Sequence, residues 1–156
     1  MKRSTAREIA VRLVFALGET SSQPQSLLEM AFEEEYYSSL KSEDELYNDK
    51  PGKKQLAYIS RIVTGVSEHS AELDSYVEKY SIGWKFSRIS RTALAIMKTA
   101  MFEILYMQDV PNSAAINEAV EMAKRYEQPE TVSFVNGVLG SFISGELNFD
   151  EHDTEF

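Results

Sequence analysis

The chain has 156 residues, 43% of them hydrophobic, which is enough for one domain or for two small bundles that share an apolar core. It contains no cysteine, which excludes disulfides, cysteine-based zinc sites and a thiol nucleophile. The formal net charge of −9 argues against a nucleic-acid partner unless the basic residues are concentrated in one place.

The first predicted helix, residues 4–18, carries such a concentration of positive charge. Residues 1–12 contain a single acid, Glu8, and four basic residues: Lys2, Arg3, Arg7 and Arg12. Apolar residues recur at i, i+3, i+4 and i+7 and predict a buried stripe: Ala6, Ile9, Ala10, Leu13, Val14 and Leu17. A second row of residues, at i+4 spacing and flanked by Arg12, predicts an exposed ridge: Arg3, Arg7, Val11 and Phe15.

Two interpretations of this ridge are open. Guanidinium groups bind phosphate oxygens, and an exposed ring such as that of Phe15 can stack on an unpaired base, so the ridge is typical of an RNA-binding surface. The alternative is that Phe15 packs on a neighbouring helix and the arginines are simply solvated.

Three more helices are predicted before residue 81. The second begins at Pro24 and continues into the acidic run 33–35, which is interpreted as a solvated face because contiguous side chains point around a helix. Polar residues 41–52 predict a loop. The third helix carries an inward apolar stripe, and a fourth covers about 71–80; the stripe contains Leu56, Ile59, Ile62, Val63 and Val66.

The most apolar helix pattern lies in residues 91–107 and predicts a central core helix with partners on more than one side. Pro111 ends that pattern, and two amphipathic helices follow at about 112–127 and 131–143. Because the connections are short, 90–143 is predicted to form an antiparallel three-helix bundle. Residues 1–145 are expected to form one domain with an N-terminal part at about 4–80, and residues 146–156 an acidic, disordered tail.

The residues predict neither catalysis nor a bound cofactor. Alternating strand patterns and glycine-rich phosphate loops are absent from the sequence. Its two histidines, His69 and His152, lie in polar settings where they are expected to be solvated, so no nucleophile–base pair or metal site is predicted. No apolar run is long enough to cross a bilayer, and Glu8 and Arg12 interrupt any signal-peptide pattern. We therefore expect a cytoplasmic protein that is not an enzyme.

Five segments, in register, resemble the NusB family of bacterial transcription antitermination factors. They are 83–90 (GWKFSRIS), 102–106 (FEILY), 109–111 (DVP), 115–124 (AINEAVEMAK) and 134–139 (FVNGVL). The resemblance covers about residues 3–142. It implies a seven-helix, all-α fold in which two three-helix bundles pack together.

The resemblance also implies a function. Family members bind the boxA element of nascent RNA as a heterodimer with the ribosomal protein NusE. With RNA polymerase and other Nus factors, that complex suppresses premature termination, notably in rRNA operons. Some members form homodimers, so a homodimer is a further expectation.

The site residues are carried over by position. The RNA surface of the family corresponds to Arg3, Arg7 and Arg12, to Phe15 where the family often has tyrosine, and to Phe134. Glu130 and Lys98 are assigned to the partner surface. The chain departs from the family at Ser4 and Thr5, where some members have further arginines, and at Ala93, where many have a polar residue. These departures predict weak RNA affinity in the absence of a partner.

Two other functions stay open. One is a helical protein-interaction module without RNA binding, which would use the acidic face as its docking surface. The other is a fragment of an RNA methyltransferase that carries a similar domain, and it is disfavoured because no catalytic half follows Phe156.

Overall fold

The computed structural model describes residues 1–147, so most of the predicted tail, residues 148–156, lies outside the described residues. Within residues 1–147 the chain forms eight α-helices and two single-turn 3₁₀ segments, with no strand. The all-α prediction is therefore confirmed. The chain divides into two compact units, Met1–Glu68 (unit 1) and the part from His69 onward (unit 2).

Unit 1 is organised around two long helices that pack against each other. Its helices are α1 (Arg3–Glu19), α2 (Pro24–Ala31), α3 (Glu34–Leu40) and α4 (Lys53–Glu68). Helix α1 packs chiefly on α4, and α2 packs on both. A 3₁₀ turn at Glu45–Tyr47 lies within the predicted loop and contacts α3.

The second predicted helix is in fact two helices, so that prediction is wrong in its extent. Glu33 has an extended backbone with ψ of 133°, and its carboxylate accepts the backbone N–H groups of Glu35 and Tyr36 at 3.1 and 2.8 Å. An acidic side chain in this position caps the helix that follows, because it satisfies N–H groups that have no partner inside the helix. The acidic run therefore starts a new helix rather than continuing the old one.

Unit 2 is built around its most apolar helix. Its helices are α5 (Ser70–Tyr80), α6 (Arg91–Tyr106), α7 (Asn112–Tyr126) and α8 (Pro129–Glu146). Helix α6 contacts the other three, and eleven of its residues are buried, which confirms the predicted central helix. Glu146, assigned to the tail from sequence, is the last residue of α8 and forms an ion pair with Lys79 of α5 at 2.7 Å.

A buried cation joins α5 to α6. Lys98 is only 9% exposed, and its Nζ lies 2.9 Å from a carboxylate oxygen of Asp74 and 2.8 Å from the Ser70 hydroxyl. A charge with so little access to water is stable in the fold because it is paired and hydrogen-bonded. The structure therefore places Lys98 largely inside unit 2, and its assignment to a partner surface stays a prediction.

Candidate nucleic-acid interface

The predicted ridge on α1 is open only at its two ends. Arg3 is exposed and Phe15 is 38% exposed, but Arg7 and Val11 between them are only 5% and 4% exposed. The prediction of a continuous exposed ridge is therefore wrong in its middle. Helix α1 packs against both α4 and α2, so it buries a wider arc than one apolar stripe indicates. Its two exposed ends are about 18 Å apart along the helix axis.

One aromatic ring of α4 links the two arginines at the start of α1. Tyr58 is 6% exposed, and its ring centroid lies 4.3 Å from the Arg3 guanidinium carbon and 5.8 Å from that of Arg7. A guanidinium over a ring face is attracted by the ring quadrupole, which limits the orientations that it samples. Arg7 is thus a buried contact of the Tyr58 ring, whereas the charge of Arg3 lies at the exposed surface.

Arg12 is held by other residues of unit 1. Its guanidinium lies 2.8 Å from the Asp44 carboxylate, 3.3 Å from the Tyr47 hydroxyl and 3.6 Å from the Glu8 carboxylate. The Asp44 carboxylate also accepts the backbone N–H of Leu46 at 2.9 Å and so caps the 3₁₀ turn. A phosphate that binds Arg12 must therefore compete with Asp44.

The contact between Arg12 and Asp44 predicts a measurable dependence of stability on pH. Hydrogen bonds from the Leu46 backbone N–H and from Arg12 hold the pKa of Asp44 below its ordinary value. The stability that Asp44 contributes is complete above the pKa of a free aspartate, and it is lost as the pH falls through the lower folded-state pKa. In Arg12→Ala we expect the Asp44 pKa, followed by NMR of its carboxyl carbon, to rise only part of the way, because the Leu46 N–H remains. An unchanged pKa would contradict the ion pair.

An open groove of about 390 Å³ lies on unit 2, along α8. Its aromatic wall is Trp84 stacked on Phe134, with ring centroids 4.2 Å apart and ring planes 25° from parallel. Both rings are half-buried, so part of each stays accessible. Glu130, in the first turn of α8, is exposed and borders the groove. The groove thus presents aromatic surface beside one carboxylate.

A tight turn positions Trp84. The Trp84 N–H donates to the Ser81 carbonyl at 3.2 Å, and Gly83 has a φ of +84°. These values define a type II turn, which favours glycine at its third position because a side chain is strained there.

Gly83→Ala is expected to lower the free energy of unfolding by about 1 kcal/mol, the cost of a left-handed backbone for a residue with a Cβ. No described atom lies within 4 Å of the added carbon, so strain rather than a clash is the cause. Gly140→Ala is the matched control, since this helical glycine also has open space. It should stabilise the protein by up to about 1 kcal/mol. Urea denaturation measures both, and the same sign for the two variants would contradict the turn.

The histidine predicted to be solvated is partly covered. His69 stacks on Tyr106 with centroids 4.3 Å apart and lies 3.5 Å from the Glu72 carboxylate. The Tyr106 hydroxyl donates to Glu72 at 2.6 Å, and this hydrogen bond raises the pKa of Tyr106 to about 12.

Among residues 1–147 no group of three or more histidine, aspartate and glutamate side chains could hold a metal ion. No helix in that range is long and apolar enough to span a membrane.

Sequence reasoning missed part of this site. Phe134 was named from the resemblance, but its contact with Trp84 was not, since the two residues are fifty positions apart. The turn itself has a sequence signal, a glycine directly before the only tryptophan.

These features define an all-α protein built of two helical units, with an open aromatic groove on the second. Comparison with known proteins identifies the family: residues 4–144 match the NusB family. The chain belongs to that family of transcription antitermination proteins, which is not enzymatic.

Relatives in sequence support this family, and a solved structure shows the same fold. The chain is 38% identical to the transcription antitermination protein NusB of Acetivibrio thermocellus, over 94% of this chain and 92% of that protein. It is 34% identical to NusB of Clostridium novyi, over 92% and 98% of the two chains. The fold is similar to that of NusB from T. maritima, with a TM-score of 0.74, 24% identity and 92% of each chain covered.

Proposed function

We propose that this protein is a cytoplasmic antitermination factor that binds boxA-type RNA together with the ribosomal protein NusE. In this proposal it acts with RNA polymerase and other Nus factors and promotes transcription of rRNA operons. The names of its relatives support antitermination. The observation that carries RNA binding is the open groove in which Trp84 and Phe134 stack, because accessible aromatic faces are where unpaired bases bind.

The proposed roles follow from exposure. Arg3 contacts phosphate, and Phe15 and Phe134 stack on bases. Arg7 is buried, so it acts through Tyr58 by holding Arg3 in place. Arg12 reaches phosphate only when its contact with Asp44 is exchanged.

The energetics favour a second subunit. About three phosphate contacts on single-stranded RNA give a slope near −2 in a plot of log K against log salt concentration, which is a modest electrostatic term. Each stacked base adds roughly 1–3 kcal/mol. NusE supplies the remaining contacts, and Glu130 tunes the surface beside Phe134. Without NusE, a homodimer is the proposed alternative state, and sedimentation velocity tests it.

The ends of α1 are tested by fluorescence anisotropy with labelled boxA RNA and saturating NusE. Arg3→Ala and Phe15→Ala should each weaken binding about fivefold or more. Arg61→Ala and Tyr126→Ala are matched controls, because Arg61 is an exposed arginine of the same unit and Tyr126 is 39% exposed. Circular dichroism should show parent helicity in all four.

Two outcomes separate this function from its alternative. If Arg3→Ala and Phe15→Ala bind RNA like the parent, α1 is not an RNA contact. If the parent with NusE binds no RNA at all, the alternative of a protein-interaction module without RNA binding replaces the proposed function.

A further inference from the structure

A second groove lies in unit 1. It has a volume of about 130 Å³ and is formed by α1, α2, α3 and the 3₁₀ turn, and we name it the α3 groove. Its lining includes Arg12, Phe32, Tyr36, Tyr37, Leu40 and Tyr47.

The walls of the α3 groove are held by packed rings. Tyr37 is 5% exposed, stacks on Phe32 with centroids 5.7 Å apart and meets Tyr47 edge-on at 5.6 Å. Its hydroxyl donates to the Asp49 carbonyl at 2.9 Å. Tyr36, the next ring along α3, is by contrast 49% exposed. The groove therefore has walls held by ring packing, with Tyr36 as its most exposed aromatic residue, which is the form of an anchor site for a side chain.

The chain around the α3 groove is strongly acidic. Residues 29–49 contain one lysine and eight carboxylates: Glu29, Glu33, Glu34, Glu35, Glu43, Asp44, Glu45 and Asp49. Four of these have exposed side chains whose carboxylates form no hydrogen bond or ion pair within residues 1–147: Glu34, Glu35, Glu43 and Glu45. A partner that brings cations would find free carboxylates here. Arg12 also lines the groove, but it is already paired with Asp44, so the surface favours a basic partner over nucleic-acid phosphates.

We propose that the α3 groove docks a basic, amphipathic segment of another protein. An apolar side chain of that segment sits against Tyr36, Phe32 and Leu40, and its arginines or lysines pair with the free carboxylates. The volume allows one leucine-sized anchor, so the contact is small and transient. This docking surface is additional to RNA binding, and it stands whether or not the RNA contacts are confirmed.

The apolar part of the site is tested with the full chain and a fluorescein-labelled peptide rich in arginine and leucine. Tyr36→Ala should weaken binding about tenfold, as expected for an aromatic anchor. Ala31→Phe should weaken it similarly by filling the groove, since Ala31 lines it. Tyr126→Ala, which removes an exposed ring from unit 2, should leave binding unchanged. Circular dichroism checks that each variant is folded.

The electrostatic part is tested with variants of equal charge change. Glu34→Gln combined with Glu35→Gln should weaken peptide binding about threefold and flatten its salt dependence. Glu78→Gln combined with Glu121→Gln removes two exposed carboxylates from unit 2 and should have no effect. Equal losses in both pairs would overturn the proposal, because the peptide would then be responding to net charge alone.

Other occupants give different results. If a peptide with serine in place of leucine binds as tightly as the leucine peptide, no apolar side chain occupies the groove and the proposal fails. If the chain dimerises and Tyr36→Ala dissolves the dimer, the occupant is a second copy of the chain. If Tyr36→Ala weakens binding of single-stranded RNA, the groove belongs to the RNA surface instead. Each of these outcomes overturns a basic protein partner.

Discussion

Phe134→Ala is expected to weaken boxA RNA binding by the chain and NusE about tenfold or more. Removal of one stacked base costs roughly 1–3 kcal/mol. The variant also takes away the ring that packs against Trp84, so the aromatic wall of the groove is lost along with the base contact. Fluorescence anisotropy at several salt concentrations measures the effect. The salt slope should stay unchanged, because Phe134 carries no charge.

Phe134→Leu is the matched control for packing. It keeps an apolar side chain against Trp84 but lacks a flat face, so it should fold like the parent and bind RNA almost as poorly as Phe134→Ala. If Phe134→Leu binds RNA like the parent, the side chain supports the fold of the groove rather than stacking on a base.

Phe142→Ala is expected to lower the free energy of unfolding by about 3–5 kcal/mol. The Phe142 side chain is fully buried and meets Tyr76 and Tyr80 edge-on at 5.1 and 6.2 Å. Its loss leaves a cavity in the core of unit 2 and removes both ring contacts. Since domains of this size are stable by about 5–15 kcal/mol, the variant loses a large share of that stability. Urea denaturation measures the change.

The neighbouring Ser141→Ala serves as the control. Ser141 is exposed on the same helix, so this variant should stay within about 0.5 kcal/mol of the parent. Tyr80 also lines the groove of Trp84 and Phe134, where RNA is proposed to bind. We therefore expect Phe142→Ala to bind RNA more weakly even where it remains folded. A loss below about 1 kcal/mol would contradict a close-packed core around Phe142.

The fold could be predicted where the residue pattern of a single helix was sufficient. Helix α6 is apolar on most of its surface, and this alone indicated a core helix with several partners. The break at Glu33 could not be predicted, because three successive glutamates fit a solvated helix face as well as they fit a helix start. What decides between them is the extended backbone at Glu33 and its two capping bonds, which depend on local geometry.

The candidate site was predictable only in part, and for a similar reason. The positions of Arg3 and Phe15 on α1 followed from helical spacing, and both are exposed. The burial of Arg7 did not follow, because Tyr58, which covers it, lies on another helix. The stack of Trp84 on Phe134 is likewise a tertiary contact, and spacing along the sequence carries no information about it.

Joint RNA binding by the chain and NusE is tested most directly by titrating labelled boxA RNA and a shuffled RNA of the same composition with each protein alone and with both together. The proposed function predicts weak binding by the chain alone. It also predicts tight binding by the pair, a preference for boxA over the shuffled RNA, and a loss of that preference in Phe134→Ala. Equal affinity for the two RNAs, or no gain from NusE, would contradict it.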